Sequence, residues 1–268
     1  MRWGLRFLGC CGYGLFRERS CMGLQKPEMI LFDYGCTLLH EPGTDFLRGE
    51  EAVYPLIAEN PMGKTAKELC DFGLENFRQL RDCRHMGFEI SEIQLLRCKY
   101  DPFGITFSVP LSEVEQRLWD AAAPGACMPG IEELLAFLHG QGIRTGVISN
   151  LGWTGEALCK RIDRLLPDNH FEFVLASSDY AFRKPHPLLF RIALQKAGLA
   201  PERVWFCGDS MEADILGAHR AGMFPVLYEG EGEEGERSPY LEKNKQINVN
   251  FDLLHIHHWR ELREALEG

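Results

Sequence analysis

The chain has 268 residues, 45% of them hydrophobic and 25% charged, with a formal net charge of −10. That balance is globular, with enough apolar material to bury a core unaided by disulfides or structural metals. No apolar run reaches the roughly eighteen residues needed to span a bilayer, and lysine and arginine are spread along the chain rather than gathered into the basic stripe a nucleic-acid partner requires.

Residues 1–28 carry arginines and aromatics with neither helical nor alternating periodicity. A secretory leader is disfavoured, because Gly4, Gly9, Gly12 and Gly14 interrupt its apolar stretch and Arg17 and Arg19 follow. The segment is expected to be a disordered extension or the product of an early start, with Met22 or Met29 as the beginning. The ten cysteines show no paired C-x-x-C spacing, so they read as free thiols in a reducing cytoplasm.

From Met29 onward, short apolar runs end in chemically suggestive residues. The runs at 29–33, 145–149, 171–177, 204–209 and 224–230 are continuously apolar rather than alternating, as buried parallel strands are. Helical patterns occupy 131–142, 156–166, 187–198 and 211–222. Gly142, Gly198 and Gly222 suit helix ends, and Pro187 suits a first helical position. Strand and helix in repeated alternation predict an α/β, doubly wound parallel sheet with right-handed crossovers. The interval of about 40–127 breaks that alternation: it shows no convincing strand but four helical patterns, at 45–59, 64–82, 90–100 and 111–122. This predicts an inserted α-helical cap domain over 40–127, carried on a core made of 29–39 and 128–268. Nearer the C-terminus, the acidic stretch 230–237 reads as a solvated loop. The tail from His255 reads as an amphipathic helix rather than a metal site, since no carboxylate or cysteine pattern completes a ligand set for its histidines.

An open parallel sheet delivers the C-terminal ends of its strands to one crevice. Those ends carry Asp33, Ser149 and Asp209, with Lys184 in the loop after the third predicted strand. Any one of them has a plain structural explanation as a cap or turn residue. Several carboxylates at one sheet edge are harder to explain that way, because they repel unless a cation holds them together.

Four ordered segments, ILFDYGCTLL (30–39), VISN (147–150), RKPHPLLF (183–190) and GDSMEAD (208–214), resemble the motifs of the haloacid dehalogenase-like hydrolases, in the branch with a helical cap between the first two motifs. The resemblance covers about residues 29–228 and implies a Rossmann-like core. It also implies a Mg²⁺-dependent phosphatase acting on a small phosphorylated metabolite. In that reading Asp33 is the nucleophile that forms an aspartyl-phosphate, Ser149 and Asn150 bind the phosphoryl group, and Lys184 neutralises charge on the nucleophile and the transferring group. Mg²⁺ is held by Asp33, the backbone carbonyl of Gly35, Asp209 and Asp214, while Thr37 hydrogen-bonds within the first loop to aim Asp33.

One position departs from the family pattern. Phosphatases of this family usually read D-x-D-x-T, the second aspartate serving as acid and base, and here that position is Gly35. General acid–base catalysis is worth typically about 10²- to 10⁴-fold, so poor leaving groups are expected to turn over slowly unless Glu212 or His40 supplies the proton. The same substitution leaves room for a non-catalytic or regulatory binding protein. It also leaves room for a phosphonatase-like C–P hydrolase using Lys64, Lys67 or Lys99.

Overall fold

The computed structural model describes residues 25–233 and 235–268. Most of the expected N-terminal extension, residues 1–24, lies outside the described residues. Its last four residues already belong to the fold, for Glu28 donates its N–H to Arg203 O at 2.9 Å and accepts from Arg144 N at 2.9 Å.

Six strands form one parallel sheet: β1 (Met29–Phe32), β2 (Arg144–Ser149), β3 (Val174–Ala176), β4 (Val204–Gly208), β5 (Phe224–Tyr228) and β6 (Leu254–Ile256). Their order is β6-β5-β4-β1-β2-β3. Five strands are those expected from the apolar runs. The sixth, β6, lies in the tail expected to be wholly helical, and it precedes the helix Trp259–Glu267 that the amphipathic pattern does predict. Strand β1 pairs with β2 on one side and β4 on the other, so the chain reverses its direction of winding there.

The central position of β1 explains its MILF sequence. All four side chains are fully buried, Ile30 and Phe32 in one hydrophobic cluster and Met29 and Leu31 in another. Helices therefore cover both faces, as the two-residue alternation of a strand demands. On the Phe32 face lie α5 (Ile131–Gly140), α6 (Gly155–Leu165) and α9 (Trp259–Glu267); on the Leu31 face lie α7 (Pro187–Ala197) and α8 (Leu216–Arg220). Gly142, Gly198 and Gly222 all take positive φ after α5, α7 and α8, which is the left-handed backbone that closes a helix. The expected helix over 211–222 begins as a π-helical turn at Met211–Ile215. That turn swings Asp214 back so that its Oδ2 accepts the Ser210 N–H at 3.1 Å.

Between β1 and β2 stand α1 (Phe46–Val53), α2 (Ala66–His85), α3 (Glu92–Tyr100) and α4 (Leu111–Ala122). Thr65 and Ser91 start α2 and α3 with reciprocal capping boxes to Glu68 and Gln94. Gly49 lets α1 approach α4 closely, since a Cβ there would lie 2.7 Å from Leu118 O. The interval is not purely helical: Ile57–Glu59 pairs antiparallel with Thr106–Phe107, and Leu39–His40 with Ala126–Cys127. These pairs are two or three residues long, too short to leave an alternating pattern in the sequence.

Candidate active site

The crevice at the C-terminal ends of β1, β2 and β4 is an open cavity of about 300 Å³ lined by Asp33, Gly35, Cys36, His40, Ser149, Asn150, Lys184, Asp209, Asp214 and Tyr240. Backbone pairing places its carboxylates. Asp33 donates its N–H to Cys207 O at 2.8 Å, extending the β1–β4 ladder by one residue and leaving the carboxylate at the sheet edge. Asp209 follows β4 directly, and Asp214 reaches the same spot through the π-helical turn. Oxygens of Asp33, Asp209 and Asp214 all lie within 4.8 Å of one another, and all three residues are buried.

Lys184 stands among them with little freedom. Its Nζ lies 2.6 Å from Asp33 Oδ1 and donates to Ile148 O at 2.7 Å, and it forms an ion pair with Asp214 Oδ1 at 2.7 Å. The Asp214 contact is electrostatic rather than an aligned hydrogen bond. Burial pulls the Lys184 ammonium down, but Asp214 and Asp33 outweigh it and hold the group above its ordinary value. One cation does not balance three carboxylates. Burial, reinforced by Asp33 and Asp214, raises Asp209 above its ordinary value; burial pushes Asp214 up to about 6 against the pull of Lys184. Oxygen donors crowded in this way and short of positive charge fit a hard divalent cation such as Mg²⁺.

Several expected residues take a different local part. Asn150 lines the cavity, yet its Oδ1 accepts the Lys184 N–H at 2.6 Å and its Nδ2 donates to Lys184 O at 2.9 Å. Both ends of its amide clamp the lysine backbone, a job that serves the site indirectly. The hydrogen bond expected of Thr37 is not made: its hydroxyl is fully buried and has no partner among the described residues. The first loop is closed instead by backbone N–H groups of Leu38 and Leu39, which reach Tyr34 O at 3.0 and 3.1 Å. Ser149 is buried and lines the cavity at the end of β2. Of the two residues considered as a substitute acid, Glu212 is half-exposed and paired with Lys243. His40 is buried at the cavity wall, 3.6 Å from Glu236 Oε2.

Contributions from after β5 were not anticipated. Ser238 donates its hydroxyl to Asp209 Oδ2 at 2.5 Å, and Tyr240 walls the cavity. Asn244 accepts the Met211 N–H at 2.9 Å and donates to Asp209 O at 2.8 Å. The stretch expected to be a solvated loop is only partly so, since Gly230 and Gly232 are buried and a Cβ on Gly232 would meet His40 at 3.0 Å. No periodicity marks this segment. The only signal is a serine, an asparagine and glycines in a long connection, which is weak evidence for any contact.

A second cavity, of about 230 Å³, lies in the helical interval, lined by Phe46, Leu74, Phe77, Leu95, Leu118 and Trp153 among others. On its polar wall Glu50 accepts from Lys99 Nζ at 2.6 Å and from Tyr100 Oη at 2.8 Å, while burial pushes the Glu92 carboxyl up to about 7. Glu89 joins this layer to the loop before Lys184, pairing with Arg84 at 3.1 Å and with Arg183, and accepting from Ser177 Oγ at 2.9 Å.

A switch-point crevice furnished with three carboxylates, a buried lysine and a strand-end serine is the usual place for a ligand in an open α/β sheet. The chain belongs to the haloacid dehalogenase-like hydrolase family, whose model matches residues 37–222. Over 138 residues it is 37% identical to the glyceraldehyde 3-phosphate phosphatase of Methanothermobacter thermautotrophicus, covering 52% of this chain and 58% of that one. Over 107 residues it is 32% identical to the haloacid dehalogenase-like hydrolase domain-containing protein 3 of Mus musculus, covering 38% of this chain and 40% of that one. The chain thus spans about half the length of the curated relatives it matches. In fold it is similar to a HAD phosphatase from Thermococcus onnurineus, with TM-score 0.58 and 22% identity over 91% of this chain and 99% of that one. It is likewise similar to a 2-haloacid dehalogenase from Pseudomonas syringae, with TM-score 0.55 and 20% identity over 89% and 97%. Among the described residues no helix is long and apolar enough to cross a membrane.

Proposed function

We propose that the chain is a Mg²⁺-dependent phosphatase that hydrolyses a small phosphorylated metabolite through an aspartyl-phosphate on Asp33. The observation that carries this reading is the juxtaposition of Asp33 with Lys184 at 2.6 Å inside a buried cluster completed by Asp209 and Asp214. It is supported by relatives named as phosphatases of glyceraldehyde 3-phosphate and phosphoglycolate.

Asp33 attacks phosphorus with a carboxylate oxygen, forming the acyl-phosphate bond as the bond to the leaving oxygen breaks. Water then attacks the phosphorus of that intermediate and returns the carboxylate with release of phosphate. Lys184, already hydrogen-bonded to the nucleophile, offsets the negative charge gathered in the transition state, and Ser149 donates to a phosphoryl oxygen. Asp33, Asp209, the carbonyl of Gly35 and Asp214 would hold the Mg²⁺, whose bound charge neutralises phosphoryl oxygens. Asn150 and Asp214 keep Lys184 in place from its backbone and its tip. The helical interval 40–127 acts as the cap over the core formed by 29–39 and 128–268, and its apolar cavity sets what can accompany the phosphate.

Gly35 cannot protonate a leaving alkoxide. His40 is the imidazole at the cavity wall and takes that part, while acyl phosphates, whose leaving groups need no proton, are the best substrates. The phosphonatase-like alternative draws little support, because Lys64, Lys67 and Lys99 are paired with Glu68, Asp71 and Glu50. A binding protein without turnover would retain the same cluster for a different use.

A Mg²⁺-dependent screen of acyl phosphates, phosphosugars, phosphonates and an aryl phosphate tests the reading. Phosphate release that requires Mg²⁺ and falls in the order acyl, aryl, alkyl is expected. No release from any of them by the folded protein would leave only the binding role.

A further inference from the structure

Strands β5 and β6 run parallel with Tyr228 opposite Ile256, and the Glu229 N–H continues the ladder to Ile256 O at 2.9 Å. In a pleated strand residues two apart share a face. His255 and His257 therefore point the same way, and Glu229 stands across from His257 on that face. One ligand atom from each of Glu229, His255 and His257 lies within 4.8 Å of the others. His255 Nε2 is 2.9 Å from Glu229 Oε2, and the two imidazole rings are 4.7 Å apart, tilted by 51°. We propose that these three residues form a second divalent-cation site, suited to an imidazole-binding ion of the zinc class and separate from the carboxylate cluster at the crevice.

The chemistry of the donors decides the class of ion. Two imidazoles and one carboxylate favour zinc, nickel or copper over the magnesium that an all-oxygen set prefers. Two ligands bonded at about 2.0–2.1 Å in a tetrahedron stand about 3.3 Å apart, so Glu229 and His255 need to part by only a few tenths of an ångström. Three protein ligands leave the fourth position to water, and His257 is exposed, giving the ion a way in.

Supporting contacts of the kind that fix metal ligands are already made. His257 Nδ1 lies 3.3 Å from Glu229 O, which orients the ring. Glu229 Oε1 accepts from Asn244 Nδ2 at 2.9 Å. Although burial works to raise it, hydrogen bonds from His255 and Asn244 hold the Glu229 carboxyl below its ordinary value and keep it ionised. Because the same Asn244 amide donates to Asp209 O, the two sites share a neighbour. They are distinct clusters on neighbouring strand ends, Glu229 after β5 and Asp209 after β4, with Asn244 between them. The sequence alone hides this site, since Glu229 is remote from the histidines and only the β5–β6 register brings it to them.

The test is a Co²⁺ titration of the full chain in saturating Mg²⁺, which occupies the carboxylate cluster. Visible d–d absorption that saturates at one equivalent, is displaced by Zn²⁺ and lacks thiolate charge-transfer intensity is expected. His257→Ala, at an exposed position, should weaken that binding by at least about tenfold, whereas His139→Ala on α5 should leave it unchanged. Equal Co²⁺ uptake by wild type and His257→Ala, uptake carried wholly by cysteine thiolates, or no uptake at all would overturn the proposal.

Discussion

The sheet rim and the helical interval above it both bury ionised groups, but they balance charge differently. In the helical interval Glu50 is matched by Lys99 and capped by Tyr100. At the rim Asp33, Asp209 and Asp214 share Lys184 and retain an excess of negative charge, with burial raising Asp209 and Asp214. The Glu50–Lys99 pair is complete without a ligand. The rim cluster crowds carboxylates short of positive charge, which is the arrangement that suits a further cation and on which the proposed chemistry rests.

Substitutions that break one region and spare the other separate the two roles. The largest effect is expected from Asp33→Asn, which should lower turnover by at least about 10⁴-fold, on the scale seen when a covalent nucleophile is removed. Its circular dichroism and melting temperature should remain close to wild type. Glu50→Ala should do the reverse. Leaving Lys99 buried without its carboxylate costs about 3–5 kcal/mol, so denaturant melts should show a large loss of stability while the folded fraction still turns over acyl phosphates.

A smaller effect sharpens the account of the missing acid. A Cβ at Gly35 meets nothing within 4 Å, so Gly35→Asp should be accepted and should raise alkyl-phosphate turnover by about 10²-fold. His40→Gln should lower alkyl-phosphate turnover by a similar factor while sparing acyl phosphates. An equal loss on both substrate classes would assign His40 to packing. The smallest effect is expected from Ser238→Ala, which removes one hydrogen bond from Asp209. The Mg²⁺ concentration for half-maximal activity should rise by about tenfold, and an unchanged Mg²⁺ titration would place Ser238 outside the cation's support.

What can be read from the sequence follows from how each contact is made. Asp33, Ser149 and Asp209 are visible because buried parallel strands are continuously apolar, so the polar residue that ends each run stands out. Lys184 is placed only loosely, by its loop after the third predicted strand, and Asp214 comes from the resemblance to known motifs, since a π-helical turn has no periodicity of its own. Asn150 sits within a recognised motif, yet its clamp on the Lys184 backbone depends on a loop crossing that the motif does not encode. Strand β6 is three residues long with His255 between two apolar residues at the sheet edge, too short to stand apart from the helix that follows. Ser238 and Asn244 reach Asp209 only through the path of a long connection, and such contacts are fixed by tertiary packing alone.

The most direct test of the central claim is to quench the wild-type protein during turnover of an acyl phosphate with Mg²⁺ present and locate the phosphoryl group by peptide mapping. A phosphorylated peptide containing Asp33, absent in Asp33→Asn and lost when Mg²⁺ is chelated, is the predicted result. Turnover with no label on Asp33, or with equal labelling of the Asp33→Asn protein, would contradict it.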